Sequence, residues 1–144
     1  MKDGLLSEPP ATAPAGYFRF AVVRNPWDRF VSGWKYCSST RERTLAAVLA
    51  DLPQHGHDFR HVTRPQHTTL FEERGAAAVD YLIRFERLHE GFDAVSDLIG
   101  KPRCLLSHRN RGTRGHYREY FDAASRSSFL RHFDRDVELL GYDY

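Results

Sequence analysis

The chain has 144 residues, 41% hydrophobic and 28% charged, which is typical of one globular domain and excludes a disordered, collagen-like or low-complexity chain. Lysine and arginine number 21 against 19 acidic residues, and the net charge of +2 is too small to indicate a general nucleic-acid-binding protein. Only three of the 21 cationic residues are lysines; the excess of arginine suits phosphate recognition, although a GC-rich genome would produce the same bias.

The first predicted elements are an extended segment, a strand and a helix. Residues 1–16 are rich in proline and small residues and are predicted to be an extended lead-in without a strand, followed by a single domain over 17–144. The run 17–23 predicts a strand buried on both faces, because its second half is continuously apolar. Asn25 is a good N-cap and Pro26 suits a first helical position, so a helix follows at once. Its expected buried face consists of Trp27, Phe30, Val31 and Trp34.

Helices alternate with short strands along the rest of the chain. In order, the pattern predicts a helix at about 42–52, a loop over 55–66, a short helix over 67–74, a buried strand over 80–85, a helix over 86–99, a short strand over 104–106 and a last helix from Asp122. The helix over 86–99 is expected to bury Leu88, Phe92, Val95 and Ile99. The last helix is expected to bury Phe129, Leu130, Phe133, Val137 and Leu140. Alternation of this kind predicts a heavily helical α/β layer fold with a small parallel sheet.

The N-terminus and the cysteines indicate location and exclude some chemistry. No apolar run approaches the length of about 18 residues that a transmembrane helix needs, and the first residues lack the apolar centre of a signal peptide, so a cytoplasmic protein is expected. Cys37 and Cys104 are isolated, and His55 and His57 flank a glycine in a predicted loop. Neither a disulfide framework nor a metal site is therefore expected.

Arg24 and Ser32 are candidates for phosphate binding. In open parallel sheets ligands bind beyond the C-terminal ends of the strands, and anions favour helix N-termini, where backbone N–H groups lack partners. Arg24 occupies that place, and Ser32 lies two helical turns after Asn25 on the same face. An arginine and a serine placed in this way can bind one phosphate. The alternative from the same residues is that Arg24 pairs with Asp28 and that Ser32 is a surface residue.

The run from Phe18 to Trp34, FRFAVVRNPWDRFVSGW, resembles the 3′-phosphate-binding motif of sulfotransferases, above all of their carbohydrate branch, F-x-x-V-R-N-P-x-x-R-x-x-S-x-Y/W. Further segments agree in order with the family's H-x-x-P-Q, G-R-F-E-x-L and F-G-Y segments: Arg64–Gln66, Tyr81–Leu88 and Gly141–Tyr142. The resemblance implies a P-loop-like three-layer α/β fold. It also implies that Arg24 and Ser32 bind the 3′-phosphate of 3′-phosphoadenosine 5′-phosphosulfate (PAPS).

A glycine-flanked loop resembles a second part of the sulfotransferase nucleotide site. The run RGTRGHY, from Arg111 to Tyr117, is similar to the R-K-G-x-x-G-x-W loop of cytosolic sulfotransferases, and Arg111 and Gly112 match its arginine and first glycine. A guanidinium and backbone N–H groups of such a loop can surround a phosphate, whereas the alternative is a solvated basic loop. Phe85 stands where cytosolic relatives have an adenine-contacting tyrosine, with ordinary core packing as the alternative.

The implied reaction transfers a sulfuryl group from PAPS to a hydroxyl of a carbohydrate or other small acceptor, and a base must take the hydroxyl proton. Histidine is suited to this role near neutral pH. His61 precedes Arg64–Gln66 as the family's histidine precedes its P-Q, but with one extra residue between them. That offset makes His67 a competitor and leaves an unrelated loop histidine as the alternative. No metal cofactor is expected.

One family motif is not found in the 144 residues. Sulfotransferases place a P-K-x-G-S/T-T-S loop, which binds the 5′-phosphosulfate, after an early strand, and no such loop precedes residue 17. The expectation is therefore a form truncated at its N-terminus or a degenerate, inactive nucleotide-binding or interaction module, with a partner chain that supplies the strand as a third possibility. An RNA-binding domain is a further alternative, although no RNP-like or KH-like motif occurs. The expected partners are the nucleotide and an acceptor, not nucleic acid or membrane, and a homo-oligomer is left open.

Overall fold

The structure, a computed structural model, describes residues 4–5, 16–52, 63–71, 78–107 and 114–144, the first two by their backbone alone. The chain forms two compact units. The first unit consists of Met1–Arg24 and Thr68–Thr113, and the second consists of Asn25–His67 and Arg114–Tyr144. Strands and a helix characterise the described part of the first unit, and helices that of the second.

A small mixed sheet is the centre of the first unit. Strands β1 (Gly4–Leu5), β2 (Phe20–Val23) and β3 (Tyr81–Arg84) lie in the order β1-β3-β2, with β2 parallel and β1 antiparallel to β3. The parallel pair confirms the predicted α/β class. The prediction that no strand precedes residue 17 is wrong, because Gly4–Leu5 pairs with the other edge of β3. A pair of residues is too short to produce the alternating pattern by which strands are predicted.

Strand β2 is shorter and less buried than predicted. It starts at Phe20 rather than at residue 17, and its Phe20 and Val22 side chains are 39% and 44% exposed, so burial on both faces is wrong. Among the described strands β2 lies at an edge, whereas β3 lies between two neighbours. Accordingly Tyr81, Leu82 and Ile83 are all buried, as predicted for β3.

A helix packs on β3 in the first unit. A 3-10 turn at Phe85–Arg87 leads into helix α4 (Leu88–Leu98). The buried Gly91 and Val95 of this helix face the sheet. Ile99 was expected in the buried stripe but is 44% exposed, because the helix has already ended at Leu98. Gly100 follows with a positive φ of 67°, a conformation that glycine adopts without strain.

The predicted strand at 104–106 does not form. These residues have no regular secondary structure, and the side chain of Leu105 is 98% exposed. Three apolar residues are a weak signal, because a strand also needs a neighbour to receive its backbone hydrogen bonds.

In the second unit, helix α1 (Pro26–Tyr36) begins as predicted, with Asn25 as its N-cap. Helix α2 (Leu45–Ala50) is shorter than predicted and begins after the N-cap Thr44, whose hydroxyl accepts a hydrogen bond from Ala47 N at 3.2 Å. The short helix α3 (His67–Leu70) continues from this unit into the first. Its predicted end at Gly75 lies outside the described residues.

Helix α5 (Ala123–Leu140) supplies much of the core of the second unit. Its buried stripe is Ser125, Phe129, Phe133, Asp136 and Leu140, so the prediction that Leu130 is buried is wrong, since it is one residue beyond the stripe and 37% exposed. Trp27 of α1 stacks on Phe129 at 4.0 Å between ring centroids, and Phe129 stacks on Phe133 at 4.6 Å. Aromatic packing of this kind joins the first and last helices of the unit.

The two ends of α5 are capped as its sequence predicts. Asp122 accepts a hydrogen bond from Ser125 N at 2.7 Å, and its own N–H donates to Ser125 Oγ at 2.9 Å. The hydrogen bonds from Ser125 hold the pKa of the Asp122 carboxyl below its usual value. Gly141 ends the helix in the left-handed conformation, with φ of 64°. None of the described helices combines the length and the apolar character that a membrane span requires.

Candidate functional site

In the first unit, Arg24 lies beside Phe85. The two residues follow Val23 and Arg84, which are register partners in the parallel pair β2–β3. Both side chains therefore leave the sheet at the C-terminal ends of neighbouring strands, the edge at which α/β sheets bind ligands. The Arg24 guanidinium carbon lies 4.6 Å from the centroid of the Phe85 ring, a cation–π contact.

Phe85 is an exposed residue, with 46% of its surface open to solvent. Core packing, the alternative interpretation of this position, is therefore excluded. An aromatic ring beside an arginine at a strand edge is suited to contact a planar, negatively charged ligand. Sequence reasoning selected both residues but predicted no contact between them, because strand register was needed to show it.

In the second unit, the side chain of the N-cap residue Asn25 accepts hydrogen bonds from backbone N–H groups in the first turn of α1. The Asn25 Oδ1 accepts hydrogen bonds from Trp27 N at 3.0 Å and from Asp28 N at 3.4 Å, and Pro26 has no N–H. The first-turn N–H groups are therefore in use. The expectation of unpaired backbone N–H groups in the first turn of α1 is therefore wrong.

Ser32 lies in α1, two turns after its N-cap, and is half-buried. The buried residues Phe30, Val31 and Trp34 occupy the core-facing side of the helix, and Asp28, Arg29 and Ser32 are all half-buried on the other side. Ser32 is therefore outside the hydrophobic core of its unit.

Asp28 forms an ion pair with Arg114, with 2.5 Å between Oδ1 and Nη2. Their side chains are 23% and 20% exposed, so the pair is largely shielded from water. The next residue, Gly115, donates its N–H to the Tyr120 hydroxyl at 3.2 Å. Arg114 and Gly115 thus anchor one end of the glycine-flanked loop to the helices of the second unit. Arg111 and Gly112 lie outside the described residues.

The Arg64–Gln66 segment is hydrogen-bonded to both the first and the last helix of the second unit. Arg29 of α1 donates from Nη1 to Arg64 O at 2.9 Å. Asp136 of α5 accepts hydrogen bonds from Gln66 N at 2.6 Å and from His67 N at 2.8 Å. Segments that the sequence resemblance placed far apart in the chain are therefore in direct contact within this unit.

Asp136 also contacts the ring of His67. Its Oδ1 lies 2.5 Å from His67 Nδ1, and the Asp136 side chain is fully buried. His67 is one of the two candidate bases in the sequence, whereas Asp136 was not predicted. A signal was available: Asp136 is three residues after Phe133 and four before Leu140, so a carboxylate occupies a core-facing position that only a partner could stabilise. His61, the other candidate base, lies outside the described residues.

The part of the chain that the structure describes holds no cluster of three or more potential metal ligands among histidine, cysteine, aspartate and glutamate. The searches of curated proteins and of solved structures each found no match. In the scan of protein families, residues 6–143 match the model described as "Sulfotransferase family". The match covers all four sequence segments that resemble sulfotransferase motifs. The chain belongs to the sulfotransferase family.

Proposed function

We propose that this chain binds PAPS and takes part in the transfer of its sulfuryl group to a hydroxyl of a carbohydrate or another small acceptor. Family membership supports the general activity. The observation that carries the proposal is the passage from strand to helix: β2 ends at Val23, Arg24 follows, and α1 begins at Pro26 under its Asn25 cap. The R-N-P motif of the family thus falls at a strand-to-helix junction, where nucleotide phosphates bind in α/β proteins.

We assign roles in nucleotide binding to five residues. Arg24 and Ser32 are proposed to bind the 3′-phosphate because they match the arginine and serine of the family motif, and Arg111 and Gly112 because they match its glycine-flanked loop. Phe85 is proposed to contact the adenine, and its exposed ring supports this role. The use of first-turn N–H groups by Asn25 makes the side-chain contacts of Arg24 and Ser32 more important, because α1 has no spare backbone donor there.

In the proposed reaction the acceptor oxygen attacks sulfur in line with the departing 5′-phosphate of the nucleotide. Positioning and cationic stabilisation supply most of the catalysis in the analogous transfer of phosphoryl groups. A base must also remove the acceptor proton. His61 and His67, on either side of the R-P-Q segment, are the proposed candidates, and the acceptor is proposed to contact the segment 53–66.

The first experiment measures nucleotide binding by thermal shift with adenosine 3′,5′-bisphosphate. A ligand at 100 times its Kd stabilises the native state by about 2.7 kcal/mol, so wild type should melt several degrees higher. Arg24→Ala and Ser32→Ala should reduce that shift, whereas Arg131→Ala, at an exposed site on α5, should keep it. A wild-type melting temperature that does not move at millimolar nucleotide would contradict the proposal.

The second experiment measures transfer from radiolabelled PAPS to a panel of glycans and small alcohols. Turnover above the background without protein supports an enzyme. Binding of adenosine 3′,5′-bisphosphate without turnover on the whole panel would instead indicate a nucleotide-binding module of the same family.

A further inference from the structure

We propose that His67 and Asp136 form a preorganised proton-accepting pair, in which the buried Asp136 carboxylate fixes the imidazole and His67 Nε2 takes the proton of the acceptor hydroxyl. The inference rests on the proposed sulfuryl transfer and goes beyond it, because it names the base and a positioning residue for it. It favours His67 over His61.

The hydrogen bonds of Asp136 determine which nitrogen of the ring is free. Its Oδ1 accepts a hydrogen bond from His67 N at 2.8 Å and lies 2.5 Å from His67 Nδ1. Its Oδ2 accepts a hydrogen bond from Gln66 N at 2.6 Å. An ionised carboxylate can only accept hydrogen bonds, so Nδ1 must donate. In the neutral ring the lone pair is then on Nε2, the nitrogen that can act as a base.

The ring is both held in place and accessible. Two backbone N–H groups fix the carboxylate relative to the chain that carries His67, so the imidazole has little freedom to rotate away. The His67 side chain remains 17% exposed, and no described residue makes a hydrogen bond to its Nε2. A base oriented by a buried carboxylate is the arrangement found in hydrolase triads, where the carboxylate selects the tautomer.

A purely structural role explains only part of this geometry. A carboxylate that caps the backbone at Gln66 and His67 would need no particular side chain at position 67. The third contact, from the imidazole to the same fully buried carboxylate, needs a hydrogen-bond donor in the side chain at position 67, which histidine supplies. Arg29 of the family motif also donates a hydrogen bond to Arg64 O, in the segment that precedes His67. This hydrogen bond connects the segment to α1, the helix that carries Ser32.

The proposed step is balanced in atoms and charge. The acceptor O–H bond breaks and its proton moves to His67 Nε2, while the acceptor oxygen forms a bond to sulfur. The bond between sulfur and the 5′-phosphate oxygen breaks, and its electron pair leaves with adenosine 3′,5′-bisphosphate. The imidazolium, paired with the Asp136 carboxylate, then returns the proton to water.

One arm of the test is spectroscopic and does not depend on activity. Two-bond ¹H–¹⁵N spectra distinguish the tautomers of a neutral imidazole, and the His67 signals are identified by their absence in His67→Gln. Wild type should show the Nδ1–H form, and Asp136→Asn should lose that preference. A wild-type ring in the Nε2–H form would overturn the proposal, whether or not the Asp136 variant folds.

The other arm is kinetic. His67→Gln should lower kcat by about 100-fold or more with KM for PAPS little changed and with the nucleotide thermal shift intact. His89→Gln, on the exposed surface of α4, should stay within threefold of wild type. An active wild type in which His67→Gln keeps its kcat, or in which only His61→Gln loses it, would overturn the inference alone. A wild type without transfer activity would overturn the proposed function together with the catalytic role, and the tautomer would still decide whether Asp136 fixes the ring.

Discussion

Gly91 of α4 packs directly against Ile83 of β3. A Cβ built at this position would lie 2.5 Å from Ile83 Cγ2 and 3.2 Å from both Ile83 Cβ and Cγ1. Ordinary carbon contacts lie at about 3.5–4.0 Å, so a Gly91→Ala side chain would have to displace its neighbour by about 1 Å. Ile83 is 0% exposed and β-branched, and it has neither open space nor an easy alternative rotamer.

Two effects of Gly91→Ala compete. Alanine in a helix interior is favoured over glycine by about 1 kcal/mol, which would stabilise the protein. Overpacking a buried site costs about 1–3 kcal/mol, and the 2.5 Å approach to a fully buried side chain places this site near the upper end of that range. We expect a net loss of about 1–2 kcal/mol in the free energy of unfolding, measured by urea denaturation.

The matched control is the same substitution in an Ile83→Ala background. Ile83→Ala removes Cγ2 and by itself costs about 2–5 kcal/mol. Once the obstructing methyl group is gone, Gly91→Ala should become neutral or stabilising by up to about 1 kcal/mol. The double-mutant cycle should therefore give a coupling energy of about 1–3 kcal/mol. Gly91→Ala that stabilises the wild-type protein, or a coupling energy below about 0.5 kcal/mol, would refute the reasoning.

Other substitutions test the helix caps and the exposed segment. Asn25→Ala removes the acceptor for two first-turn N–H groups and should lower the free energy of unfolding by about 1 kcal/mol in urea; an unchanged midpoint would contradict the cap. Because the pKa of Asp122 is lowered by Ser125, its charge stabilises the native state fully above the usual aspartate pKa of about 3.9 and progressively less as the pH falls through the lowered native pKa. The stability advantage of wild type over Asp122→Asn should therefore shrink below about pH 4, and a pH-independent difference would argue against it. Leu105→Ser should change stability by less than about 0.5 kcal/mol, whereas a loss above about 2 kcal/mol would mean that Leu105 is buried.

Local sequence signals predicted the helices of the second unit well. The Asn25 cap, the Pro26 start and the buried stripe of α1 each depend on residues within a few positions of one another, and all are confirmed. The predicted start of α5 at Asp122 is likewise confirmed.

The features that the sequence did not predict depend on distant partners. Strand β1 exists because β3 offers it an edge, and the exposure of β2 follows from its place at the side of the sheet. The pairing of Asp28 with Arg114 joins residues 86 positions apart, and Asp136 meets His67 across 69. Side-chain periodicity carries no information about such contacts, so Asp136 could be recognised only as an unexplained charge on a buried face.

The register of β2 against β3 has a consequence for insertions and deletions. Val23 opposite Arg84 brings Arg24 and Phe85 to the sheet edge together, although each follows a strand of only four residues. Because side chains alternate between the faces of a strand, the gain or loss of a single residue in either strand would turn one of the two partners to the opposite face. Substitutions within these strands can be absorbed by packing, whereas a change of length by one residue would separate the arginine from the ring.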